Sequence, residues 1–103
     1  MEERRRARRH DMTYAEFAGV PFSLTVQVMD ISLAGVLLQS SQPVKVGVRG
    51  ALRLTLGGQS LTTDVAVTRV SPLATGSDER YRIGAMFVAI SPEHRQLIER
   101  FIN

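Results

Sequence analysis

The sequence predicts a mainly β fold, a six-stranded antiparallel β-barrel with a C-terminal α-helix. Three observations predict it. Several short runs alternate apolar and polar side chains, the period of a half-buried strand. Glycine- and proline-containing turns separate those runs. Only the C-terminal stretch changes to the helical period. Short strands joined by turns, with one terminal helix, close as an antiparallel barrel. At 103 residues the chain holds one domain with one modest core. Its 44% hydrophobic and 22% charged content is that of a globular body.

The first strand is expected at Thr13 to Ala18, with Ala15 and Phe17 on one side and Tyr14, Glu16 and Ala18 on the other. Gly19-Val20-Pro21 is a turn. Phe22 to Met29 alternates most cleanly, with Phe22, Leu24, Val26 and Val28 facing inward. Asp30 to Leu38 follows, and here parity conflicts. Ile31 and Leu33 suit the core, while Asp30 and Ser32 share the opposite face. Continuing the parity of Val26 and Val28 would point Asp30 and Ser32 inward. A bulge or bend near Met29 resets the face, or the strand leaves the sheet there. Gly35 is expected to permit a turn or bulge at positive φ. Val36-Leu37-Leu38 then reads as a second, more buried strand.

Ser40 to Pro43 is a loop, and Leu52, Leu54 and Leu56 alternate along the next strand. Gly57-Gly58 signals a tight hairpin. Gln59 to Val70 is a strand with Leu61, Thr63, Val65, Val67 and Arg69 on one parity. Ser71 to Glu79, carrying Pro72, Gly76, Ser77 and Asp78, reads as an exposed loop. Arg80 to Ile90 is the last strand, with a close backbone approach at Gly84. Ser91-Pro92-Glu93 starts a helix, with Ser as N-cap, Pro at the first helical position and an acid in the first turn. Leu97, Ile98, Phe101 and Ile102 form its apolar face.

Several function classes fall away. There is no cysteine, hence no disulfide, thiolate metal site or cysteine nucleophile, and a cytoplasmic setting fits. No apolar stretch approaches the ~20 residues of a membrane span. The charged N-terminus has no apolar region behind it of the kind a secretory signal needs. His10 and His94 lie far apart and make neither a metal set nor a catalytic constellation. Gly57-Gly58 leads into a strand, so it is no phosphate loop. An enzyme is not expected, nor a cofactor.

The net charge of +3 is localised. Arg4, Arg5, Arg6, Arg8 and Arg9 outweigh Glu2 and Glu3 by that amount, and the rest of the chain is balanced. Residues 1–12 are therefore expected to be a flexible arginine-rich arm, and residues 13–103 the barrel domain. The arm suits an anionic partner. Arginine supplies a planar fork that pairs with phosphate and stacks on bases. The plain alternative is a solvated tail.

Asp30 and Ser32 also allow two readings. They can cap a local turn. A carboxylate beside a hydroxyl can also read the hydrogen-bonding edge of a purine such as guanine.

Arginine block, intervening strands and Asp-x-Ser-x-x-Gly, in that order, resemble the PilZ domain family. That family carries an RxxxR element in its N-terminal stretch and a (D/N)xSxxG element on its barrel. Arg5 and Arg9 fit the first, and Arg4 and Arg8 share the spacing. Asp30, Ser32 and Gly35 fit the second. Ile83 to Phe87 looks like the family's last barrel strand, and Leu97 to Phe101 like its closing helix. His10-Asp11 departs from the family, where an apolar residue commonly follows the arginines. The resemblance implies a receptor or adaptor module for the bacterial second messenger cyclic di-GMP. Its ligand-binding residues would be Arg4, Arg5, Arg8, Arg9, Asp30, Ser32 and Gly35. It also implies a downstream protein partner, no DNA or RNA, and no membrane insertion. The rivals are a ligand-independent interaction module on the same barrel, and a small barrel binding single-stranded nucleic acid. The latter needs stacking aromatics along a charged groove, and several of the six aromatics here suit the core better.

Overall fold

In a computed structural model of the chain, residues 14–19, 22–75 and 78–102 are described. The arm expected at residues 1–12 lies outside them. Six strands precede one helix. They are β1 (Tyr14–Ala18), β2 (Ser23–Ile31), β3 (Gly35–Ser40), β4 (Arg49–Leu56), β5 (Gln59–Thr75), β6 (Asp78–Phe87) and α1 (Pro92–Ile102). All pairings are antiparallel, and the order β1-β2-β3-β6-β5-β4 closes into a barrel where β1 meets β4.

The alternation read from the sequence fills the barrel. Ala15 and Phe17 of β1, Val26 and Val28 of β2, and Leu52, Leu54 and Leu56 of β4 are all buried. So are Leu61, Val65 and Val67 of β5 and Ile83 and Ala85 of β6. The hairpin at Gly57-Gly58 has both glycines at positive φ, +55° and +85°, the mirror-image turn that matches strand twist. Ser91 caps α1, its hydroxyl accepting the His94 N–H at 3.1 Å. Ile98 is the fully buried residue of the helix, and Leu97, Phe101 and Ile102 pack half-buried against the core.

Two expectations need correction. The loop expected at Ser71 to Glu79 is strand. Pairing continues from Ser71↔Arg82 through Thr75↔Asp78, so β5 and β6 extend as a two-stranded ribbon. Pro72 is tolerated because β4 pairing stops at Ala66, leaving this part of β5 at an edge where no ladder N–H is needed. The last strand also ends at Phe87 rather than Ile90. Beyond it Ala89 takes a positive φ of 54°, which breaks the extended chain before the helix.

Candidate functional site

The parity conflict at Met29 is resolved by a bulge. Val28 pairs with Leu38 but Asp30 pairs with Leu37, so the ladder slips between them. Val28 and Ile31 both stay buried, and Asp30 is turned to the outer face. β5 carries a second bulge at the corresponding level. Val67 pairs with Ala85, Arg69 pairs with Gly84, and Thr68 is the extra residue. Arg69 was expected to share the parity of Val67. The bulge corrects this by rotating Arg69 outward while Val67 remains in the core.

The two bulges bring distant residues into one row. Asp30 pairs with Leu37, Leu37 with Gly84, and Gly84 with Arg69. Paired residues share a face, so these four cross the outer surface in line. The row beneath is Ile31, Val36, Ala85 and Val67, all buried. A second outer row runs from Gly35 through Met86 to Ala66. Together they shape a shallow trough of about 320 Å³. Asp30 and Ser32 stand on one side, Thr68 and Arg69 on the other, with Leu37 and Gly84 between. Met86, 53% exposed, is an apolar side chain at its rim. Leu37 is the outward member of Val36-Leu37-Leu38, so that triplet is not uniformly buried as expected.

Ser32 holds the turn that enters β3. Its Oγ accepts the N–H of Ala34 at 3.2 Å and of Gly35 at 3.4 Å. The Ser32 N–H donates to the Gly35 carbonyl at 2.9 Å, and the Phe87 N–H ties the Ala34 carbonyl to β6 at 3.0 Å. The turn-capping reading of this serine is therefore correct. Both acceptor positions of the hydroxyl are occupied, and its O–H donates to the Gly35 carbonyl in a long bond of 3.5 Å.

Gly35 does not have positive φ. Its glycine character has a different cause. A Cβ there would lie 2.2 Å from the Ala85 carbonyl oxygen, so only a bare backbone lets β3 sit against β6. Gly84, expected to be the close approach, is the opposite case. A Cβ there meets nothing nearer than 3.7 Å, and the residue leaves an open patch in the trough. The Thr68 hydroxyl donates to its carbonyl at 3.2 Å.

Of the residues singled out in the sequence, Asp30, Ser32 and Gly35 come together here. Arg4, Arg5, Arg8 and Arg9 lie outside the described residues. Thr68, Arg69 and Met86 were not anticipated. The signal for them was an arginine standing where the β5 alternation required an apolar residue, with Val70 one place later. Among the described residues no cluster of histidine, aspartate or glutamate could hold a metal ion. No described helix is long and apolar enough to cross a membrane.

Comparison with solved structures gives the same barrel. The PilZ domain of YcgR from Escherichia coli, solved with c-di-GMP, superposes with TM-score 0.74 at 20% identity. That match covers 98% of this chain and 88% of the other. The complex of K. pneumonia MrkH with c-di-GMP gives TM-score 0.74 at 20% identity, covering 97% of this chain but 51% of MrkH, so this chain spans about half of that protein. The PilZ domain of CeSA from a cellulose-synthesizing bacterium gives TM-score 0.67 at 18% identity, covering 94% and 93%. Among curated protein sequences nothing matches. The PilZ domain model matches residues 3–103, almost the entire sequence, and this chain belongs to the PilZ domain family.

Proposed function

We propose that this protein is a non-catalytic receptor module for cyclic di-GMP in a bacterial cytoplasm. The observation that carries the reading is the trough with Asp30 and Ser32 on one wall, in a PilZ domain whose arginine block lies just ahead of β1. Structural relatives determined with c-di-GMP support it.

The ligand offers two phosphates and two guanines. The Asp30 carboxylate accepts the N1–H and N2–H of a guanine, a charge-assisted pair. Ser32 exchanges its long O–H donation to the Gly35 carbonyl for one to a ligand oxygen, while its accepted bonds keep the turn. Gly35 contributes by allowing the tight β3–β6 contact beneath the trough. Arg4, Arg5, Arg8 and Arg9 close over the ligand, their forks meeting phosphate oxygens or guanine O6 and N7. Ordering the arm costs conformational entropy, but it converts binding into a new surface, which a downstream protein reads.

The arm is tested with paired double substitutions. Arg5→Lys with Arg9→Lys keeps the net charge but removes the fork, and should lose most affinity for cyclic di-GMP. Arg4→Lys with Arg8→Lys should lose less. Hydrogen exchange at residues 4–11 should slow when ligand is added. Equal, near-wild-type affinity of both variants, without added protection, would leave the arm a charged tail.

A further inference from the structure

We infer that Arg69 is a further ligand-binding residue, the fixed cation on the barrel that reads the imidazole side of the guanine held by Asp30. The inference rests on the receptor reading above and names a contact of that same trough.

Arg69 stands in the same outer row as Asp30, with Leu37 and Gly84 between. Three strand spacings separate the two backbones, about 14–15 Å. Asp30 and Arg69 line the trough at the two ends of this row, and one leucine and one glycine floor the space between them. That floor accepts a planar ring lying flat. Gly84 matters because it has no side chain to occupy the middle, and the fold itself has room for one there.

Guanine has matching chemistry at its two ends. The N1–H and N2–H donors form one edge and suit a carboxylate. Across the ring lies N7, with O6 beside it, and both are acceptors. A base oriented by Asp30 therefore turns acceptors toward the other wall, where an arginine fork fits them. Arg69 is exposed on the outer face. The bulge at Thr68 is what turns it outward, and the Thr68 hydroxyl bond to the Gly84 carbonyl steadies that bulge. Adenine lacks both the N1–H donor and O6. The Asp30–Arg69 row thus selects guanine through both of its ends.

The test is a titration of wild type and Arg69→Ala with cyclic di-GMP and with its 7-deaza analogue, in which carbon replaces N7. Wild type should bind the analogue more weakly than the natural ligand. Arg69→Ala should bind cyclic di-GMP roughly ten- to hundredfold more weakly than wild type, and should show a smaller penalty for the analogue than wild type does. Its melting temperature should be unchanged, because the side chain is exposed. Wild-type affinity in Arg69→Ala, or an analogue penalty of full size in that variant, overturns the inference while leaving the receptor reading standing. Failure of wild type to bind cyclic di-GMP overturns both.

Discussion

Two glycines on adjacent strands should respond oppositely to the same substitution. In Gly35→Ala the new Cβ lies 2.2 Å from the Ala85 carbonyl oxygen and 3.0 Å from the Met86 Cα. A carbon–oxygen contact needs about 3.3 Å, so β3 and β6 must part by about 1 Å. The obstacle is backbone in a paired ladder and cannot rotate away. Parting the strands also strains the Ser32 to Gly35 and Phe87 to Ala34 backbone bonds. Overpacking costs about 1–3 kcal/mol, and the upper end applies where backbone must move. At about 3 kcal/mol, and about 4–8 °C per kcal/mol for a domain near this size, the melting temperature falls by roughly 12–24 °C. Gly84→Ala introduces a Cβ no closer than 3.7 Å to any neighbour, at a residue without positive φ. It should leave stability unchanged or raise it by up to about 1 kcal/mol, by restricting the unfolded chain. Thermal melts followed by circular dichroism decide the matter. If both variants melt together, the account of Gly35 as a strand-contact residue is wrong.

Two further predictions concern stability. Ala89→Gly relieves a left-handed alanine and should stabilise the fold by about 1 kcal/mol, read as a higher melting temperature; a lower one would contradict the strain argument. Ile98→Ala empties the fully buried position of α1 and should cost about 2–5 kcal/mol, whereas Phe101→Ala, at a half-buried ring, should cost less; chemical denaturation of the two variants gives the order.

Most of the barrel was legible because its strands keep one face dry, and side-chain parity reports that directly. The parity conflict at Met29 was legible for the same reason, but it allowed a bulge, a bend or a departure from the sheet, and only the register with Leu38 and Leu37 selects the bulge. The second bulge carried the same kind of signal in Val67, Arg69 and Val70, but a single arginine at the end of a good alternation was absorbed into it. The β5–β6 ribbon was misread because Pro72, Gly76 and Ser77 have loop composition. Nothing local reveals that Pro72 faces an unpaired edge, which depends on where β4 stops. The glycines illustrate the same limit. Sequence marks Gly35 for a turn and Gly84 for a close approach, and only the packing shows that Gly35 is the close approach while Gly84 leaves open surface. The half of the site on β2 was legible as a motif. The half on β5 and β6 arises from cross-strand register, which no short stretch contains.

The most direct test of the central claim is a calorimetric titration of cyclic di-GMP into wild type and Asp30→Ala side by side. The account predicts saturable binding by wild type. For Asp30→Ala it predicts an affinity lower by roughly ten- to hundredfold, the loss of one charge-assisted hydrogen-bonded contact, with an unchanged circular dichroism spectrum. No binding by wild type, or wild-type affinity in Asp30→Ala, would contradict it.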